Sequence, residues 1–150
     1  MIINRKALCL AYAVIGALAF VGTFGNILGL LGQYGLSGFL DATLQFWKDA
    51  LVNEASRFLA VDLLFLGLAV VLWMLLEARR LKIPGVWLYI VFGLFIAISL
   101  AVPLFMIHRE RRLAAVEPGT AAGSLRAVDL LGVAVLALGV LAFSGYSLTR

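Results

Sequence analysis

The sequence is poor in charged and reactive residues. Asp, Glu, Lys and Arg make up 13% of its 150 residues, and there is a single cysteine and a single histidine. One cysteine excludes an intrachain disulfide bond, and one histidine excludes a bis-histidine haem or a histidine-rich metal site within one chain. The sequence also lacks a glycine-rich phosphate loop, a Ser/His/Asp set and a cysteine cluster. We therefore predict no cofactor and no metal.

Apolar side chains dominate instead. They account for 64% of the residues, with a mean hydropathy of +1.09, whereas soluble domains are roughly 45–50% apolar. A domain of this size buries too little surface to hide so much apolar area, so the excess is expected to face lipid. The net charge of +4 comes from short Lys and Arg clusters beside the apolar runs. This pattern is typical of contact with membrane lipids, and no nucleic-acid partner is predicted.

Four apolar runs are long enough to cross a bilayer, which takes roughly 17–25 residues. They cover residues 8–31, 58–76, 86–107 and 127–146. Each is expected to be helical, because an open strand would leave its backbone groups without hydrogen bonds in hydrocarbon. The first run exceeds the roughly 7–15 residues of a cleavable signal-peptide core, so we interpret it as a retained helix. The predicted fold class is an all-α membrane protein, a four-transmembrane-helix bundle forming a single domain over residues 1–150.

The segments between these runs differ in character. After a possible N-cap at Ser37, apolar residues recur at helical spacing in Leu40, Leu44, Trp47 and Leu51. This predicts an amphipathic interfacial helix over about residues 38–52, although a soluble loop helix capping the bundle remains an alternative. Residues 78–85 have the composition of a tight basic turn, and residues 113–125 that of a linker.

The basic residues leave the orientation open. Four spans would place six Lys and Arg residues on each side of the membrane, so the positive-inside rule gives a tie. The usual dominance of the first helix favours a cytoplasmic N-terminus, and four spans would return the C-terminus to the same side. The basic residues predicted to lie at the interfaces are Arg79, Arg80, Lys82, Arg109, Arg111 and Arg112.

Two acidic residues are candidates for chemistry because charges within a spanning helix are costly. Asp62 lies near the start of the second run and Glu77 at its end, about 22 Å apart along a helix axis. Neither is assigned a catalytic role with certainty, since each has a structural interpretation. Asp62 can pair with Arg57 at a helix start, and Glu77 can pair with Arg80 or Lys82 at the interface.

Other residues suggest packing. Gly25 and Gly29 form a GxxxG unit in the first run, where Asn26 can hydrogen-bond across a close helix contact. Pro103 removes one backbone hydrogen bond and predicts a kink near the end of the third run.

Several short segments together resemble a family of small bacterial membrane proteins known as domain of unknown function 2834. The segments that carry the resemblance are Ser56–Leu64, Glu77–Leu81, Trp87–Tyr89, Ser99–Phe105 and Arg109–Glu110. The resemblance covers roughly residues 8–112, and Ala78 stands where the family more often has glycine. It implies that Asp62, Glu77, Arg79, Arg80 and Pro103 belong to a shared pattern, and it implies no activity.

We interpret the chain as a non-enzymatic accessory or scaffold subunit, multi-pass in a bacterial inner membrane. Its expected partners are membrane lipids, a second copy of itself or a larger membrane protein. One alternative is a membrane enzyme acting on a lipid or isoprenoid substrate through Asp62 as proton donor or base. Another is a small transporter formed by a homo-oligomer of oppositely inserted copies, which the tied charge count suggests.

Overall fold

Helices form almost all of the structure, a computed structural model that describes residues 2–35 and 38–149. The helices are α1 (Arg5–Tyr34), α2 (Phe39–Asp49), α3 (Glu54–Arg80), α4 (Val86–Phe92), α5 (Ile98–Val116) and α6 (Ala127–Ser147). Two short strands, β1 (Ile2–Ile3) and β2 (Gly123–Ser124), pair antiparallel and hold the start of α6 beside the start of α1. The all-α prediction is confirmed.

Within the described residues, four helical stretches are long and apolar enough to cross a membrane, as predicted. They are Arg5–Gly29, Glu54–Arg80, Val86–Val116 and Ala127–Ser147. The second begins at a regular N-cap, where the Asn53 side chain accepts a hydrogen bond from the Ser56 backbone N–H at 2.8 Å. It ends in a turn in which Lys82 (φ 52°) and Gly85 (φ 70°) adopt left-handed conformations. The protein is therefore a membrane protein by the length and composition of its helices.

The third apolar stretch does not run straight, although its hydropathy predicts one spanning helix. Tyr89 and His108 would be about 28 Å apart along a straight helix, yet the Tyr89 hydroxyl lies 3.1 Å from His108 Nδ1. The reversal occurs in a π-helical turn at Gly93–Ala97, whose last residue has extended backbone angles of −163° and 111°. A Cβ built on Gly93 would lie 3.2 Å from that of Ala101. Thus α4 and α5 are the antiparallel arms of a helical hairpin.

Helix α5 lies between α3 and α1. It runs parallel to α3, because Ile98 meets Gly67 near its start and the ring of Phe105 meets that of Trp73, with centroids 5.6 Å apart. It runs antiparallel to α1, because Leu100 and Pro103 approach Gly16 whereas Glu110 meets Arg5. The start of α1 and the ends of α3 and α5 therefore come together. We call this region, which contains Arg5, Glu77, Arg80, Arg109 and Glu110, the ion-paired end.

The apolar core is small and lies near the ion-paired end. Phe105 is fully buried there against a cluster contributed by α3, the following turn, α4 and α5, which includes Met74, Ala78, Ile83, Ile90 and Leu113. The hairpin covers only the second half of α3, so Phe58, Leu59 and Phe65 in the first half are exposed. No residue of α6 is buried within the described chain. Much of the apolar surface is thus left for lipid or for another membrane protein.

The structure locates two further features that the sequence predicted. Pro103 lies inside α5 and packs against Gly16, whereas the change of chain direction lies earlier, at Gly93–Ala97. Because Pro103 follows soon after the start of α5, it removes a hydrogen bond only to the first helical turn. Helix α2 is present over Phe39–Asp49 and contacts α1, and its Ala42 is buried. Its location at the membrane surface stays a prediction, and Ser37 lies outside the described residues.

Candidate functional site

Glu77 in the last turn of α3 is the first centre of the ion-paired end. Its carboxylate accepts two hydrogen bonds from Arg80, from Nε and Nη2, both at 2.7 Å. Arg80 follows at the i+3 position, so both side chains lie on one face of the helix. A third hydrogen bond comes from Arg109 Nε of α5 at 2.6 Å. Glu77 therefore binds α5 to α3 while remaining 8% exposed as a residue.

Glu110 of α5 is the second centre, and it is 3% exposed. Arg109 Nη1 donates to its Oε1 at 2.6 Å, and Arg5 Nη1 donates to its Oε2 at 2.7 Å. Arg5 also binds the linker, because its Nη2 donates to the Thr120 hydroxyl at 2.8 Å and lies 3.5 Å from a carboxylate oxygen of Glu117. Glu110 thus joins α1 to α5, and Arg5 extends the network to the linker.

Pairing of this kind removes most of the cost of burying a charge. A buried carboxylate without partners loses hydration that nothing replaces, whereas one held by two guanidinium groups regains it as charge-assisted hydrogen bonds. Within the described residues, every buried side-chain nitrogen and oxygen has a hydrogen-bond partner. Removing one charged side chain leaves its buried partners with fewer opposite charges, which is destabilising. The network therefore acts as a clamp that holds α1, α3 and α5 together.

The pairing of Glu77 with Arg80 is one that the sequence suggested, but its contact with Arg109 is not. A straight third span would place Arg109 at the opposite face of the membrane from Glu77. The one signal in the sequence was the cluster Arg109–Arg112, which produced the tie in the basic count. Arg109 is therefore a residue that only the reversal of the hairpin brings to the site.

Asp62 lies away from this network. It is exposed, on the half of α3 that the hairpin leaves uncovered. Its expected partner Arg57 instead donates a hydrogen bond from Nη1 to the Leu51 carbonyl oxygen at 3.2 Å. Asp62 and Glu77 lie fifteen positions apart on one continuous helix, about 22 Å at 1.5 Å per residue. The structure does not bring them together as an acid and base pair.

A groove with polar and apolar lining lies beside the hairpin, near this end. It has a volume of about 570 Å³ and is lined by Tyr89, Leu104, Ile107, His108, Arg111 and Arg112. A second recess of about 360 Å³ is formed by the end of α3, the following turn and the start of α4, and its wall includes Arg79, Lys82 and Trp87. The described residues contain no group of three potential metal ligands.

The predicted packing unit of α1 is divided between a contact and an open surface. Asn26 donates a hydrogen bond from Nδ2 to the Ser147 hydroxyl of α6 at 3.1 Å. Gly25 faces Leu148, whose side chain occupies the place that a Cβ would take, whereas Gly29 has nothing within 4 Å. Gly25 and Asn26 thus lie where the end of α6 meets α1, and Gly29 takes no part in that contact.

A family model described as protein of unknown function DUF2834 matches residues 10–111. The chain belongs to this family. The match spans most of α1 through the arginine-rich part of α5, and it therefore includes Glu77, Arg80, Arg109 and Glu110 but not the linker or α6. No match was found among curated proteins or among solved structures. The family carries no assigned activity, so the geometry must supply the functional argument.

Proposed function

We propose that the protein is a non-enzymatic scaffold or accessory subunit of a bacterial inner membrane. The proposal rests on one observation, which is that both carboxylates buried among the described residues are paired with arginines. Glu77 and Glu110 are each held by two arginines, and together they join α1, α3 and α5. The parts of α1, α3 and α5 at the ion-paired end thus form a clamped unit, while α6 and the first half of α3 present exposed apolar surface. Such surfaces suit a protein that holds a membrane partner.

The hairpin supports a specific placement in the bilayer. Seven residues of α4 and five of the π-helical turn rise about 18 Å, and the hydrocarbon core is about 30 Å thick. We therefore place the tip near the bilayer midplane, with both arms opening to one face. Irregular backbone at that depth is tolerated where protein covers it. Ala97 is accordingly only 8% exposed, while Leu94, Phe95 and Ile96 present apolar side chains outward.

This placement removes the tie in the basic count. Nine of the twelve Lys and Arg residues then lie at the ion-paired end: Arg5, Lys6, Arg79, Arg80, Lys82, Arg109, Arg111, Arg112 and Arg126. Lys48 and Arg57 lie at the other end of the helices, and Arg150 is outside the described residues. The positive-inside rule then assigns the ion-paired end, with the N-terminus, to the cytoplasm. Three spans and a re-entrant hairpin leave the C-terminus on the opposite side.

The two rival roles are affected differently. The transporter of oppositely inserted copies was suggested by the tied charge count, and that reason disappears when the hairpin is re-entrant. The lipid or isoprenoid enzyme depends on Asp62, which lies on an exposed part of α3 with no salt-bridge partner among the described residues. Substitution of Asp62 separates the enzyme from the scaffold.

The test compares Glu77→Gln, Glu110→Gln and Asp62→Asn in the full chain. Each glutamine keeps an acceptor but removes one of the two buried negative charges that Arg5, Arg80 and Arg109 share, so we expect the free energy of unfolding in detergent to fall by about 2 kcal/mol in either variant. Asp62→Asn should unfold like the parent. The measurement is thermal unfolding in mild detergent, combined with rescue of a deletion strain at a low and a high growth temperature.

A scaffold role predicts that rescue follows folding. Glu77→Gln and Glu110→Gln should fail at the high temperature and recover at the low one, while Asp62→Asn should rescue at both. If Asp62→Asn folds normally and rescues at neither temperature, the scaffold proposal is wrong and proton chemistry at Asp62 is favoured.

A further inference from the structure

The arginines of α5 differ in whether a carboxylate neutralises them. Arg109 lies within 2.6 Å of carboxylate oxygens of both Glu77 and Glu110. Arg111 and Arg112, two and three residues further on, have no salt-bridge partner among the described residues. Their charges are therefore available to an anion from outside the chain.

These two arginines line the groove of about 570 Å³ described above. Leu104, Ile107, His108 and Arg111 recur at intervals of three, one and three residues along α5, so they share one face of the helix. Arg111 lies toward the ion-paired end, and Ile107 and Leu104 lie about 6 Å and about 10 Å nearer the bilayer midplane at 1.5 Å per residue. The groove is therefore cationic at its mouth and apolar along its wall.

The Tyr89–His108 pair adds hydrogen-bonding groups beside these arginines. The Tyr89 hydroxyl lies 3.1 Å from His108 Nδ1, and the two side chains connect the arms of the hairpin. When the hydroxyl is the donor, the neutral imidazole carries its proton on Nε2 and can donate it to an anion. Two guanidinium groups and an imidazole provide N–H donors from which phosphate oxygens can accept hydrogen bonds.

We propose that this groove binds the phosphodiester headgroup of one anionic phospholipid, with an acyl chain along Leu104 and Ile107. A lipid suits the groove better than free phosphate because the apolar wall continues from the cationic mouth toward the bilayer interior. The headgroup region of a bilayer is also where the ends of membrane helices lie. The proposal does not depend on the scaffold role.

The test uses native mass spectrometry of the purified full chain with added phosphatidylglycerol, phosphatidylcholine or inorganic phosphate. Arg111→Gln with Arg112→Gln removes two charges from the groove. The matched control, Lys6→Gln with Arg79→Gln, removes two exposed charges at the same end but outside the groove. We expect one retained phosphatidylglycerol in the parent and the control, and at least about tenfold weaker retention in the groove variant. Circular dichroism verifies that both variants remain folded.

Three results would overturn the proposal. Equal retention by the groove variant and the control would show that general surface charge is sufficient. Equal retention of phosphatidylcholine would show that the anionic charge of the lipid is not recognised. Displacement of phosphatidylglycerol by millimolar inorganic phosphate would show that the groove recognises the phosphate ion and not the lipid. A second double variant, Leu104→Gln with Ile107→Gln, should weaken the retention of phosphatidylglycerol. It should leave any binding of inorganic phosphate unchanged, because it alters only the apolar wall of the groove.

Discussion

At the scale of single residues, Arg109 connects the two buried carboxylates. Its Nε donates to Glu77 and its Nη1 donates to Glu110, both at 2.6 Å. A lysine at this position could not reproduce the two diverging hydrogen bonds, because an ammonium group is a compact point charge and lacks the planar fork of donors. Arg109→Lys should therefore weaken the clamp although it keeps the charge.

Gly16 provides a residue-scale test of the contact between α1 and α5. A Cβ there would lie 3.2 Å from Leu100 Cδ1 and 3.4 Å from the Pro103 Cβ, and the proline ring has little freedom to move. We expect Gly16→Val to lower the free energy of unfolding by about 2 kcal/mol through overpacking. Gly29→Val is the matched control, since nothing lies within 4 Å of that position. Equal melting temperatures of the two variants in detergent would contradict the α1–α5 contact.

At the scale of helices, much of the fold could be predicted from the sequence. The apolar runs predicted where the helices lie, and the Pro84–Gly85 turn predicted where α3 ends. Both features depend only on local composition and spacing. The reversal at Gly93–Ala97 could not be predicted in the same way. Leu94, Phe95 and Ile96 at the tip are as apolar as the arms, and hydropathy records how apolar a segment is but not where it turns.

The same limit explains the candidate site. Glu77 could be named because a carboxylate at the end of an apolar helix is costly and conspicuous. Arg109 and Glu110 could not be joined to it, since their proximity depends on the hairpin. The groove at Tyr89 and His108 has the same origin, because these residues lie nineteen positions apart and meet only when the chain folds back.

Helix α2 gives a prediction at this scale. Leu40, Leu44, Trp47 and Leu51 are exposed in the structure, as an apolar face against a membrane surface requires. Replacing Trp47 and Leu51 with serine should release this segment and speed its cleavage by proteinase K in vesicles. Replacing the exposed polar residues Asp41 and Lys48 with serine is the control and should leave cleavage unchanged. Fast cleavage of the unchanged protein would identify the segment as an ordinary loop.

At the scale of the whole molecule, the basic residues and the buried surface are both distributed asymmetrically. The ion-paired end carries most of the basic residues and the buried core, whereas the far half of α3 is mostly exposed and no residue of α6 is buried among the described residues. The hairpin accounts for both features, because it returns Arg109–Arg112 to the end of the helices where Arg5 lies and stops before it reaches the far half of α3. The account therefore depends on the hairpin more than on any single residue.

The most direct test of the hairpin is the location of the two termini. Green fluorescent protein fluoresces in the cytoplasm and alkaline phosphatase is active only outside it, so each is fused in turn to the N-terminus and to the C-terminus of the full chain. With three spans and a re-entrant hairpin, the fluorescent protein should fluoresce when it is fused to the N-terminus. Alkaline phosphatase should be active when it is fused to the C-terminus. Fluorescence at both termini, with no phosphatase activity at either, would show that the third apolar stretch crosses the membrane and would contradict the account.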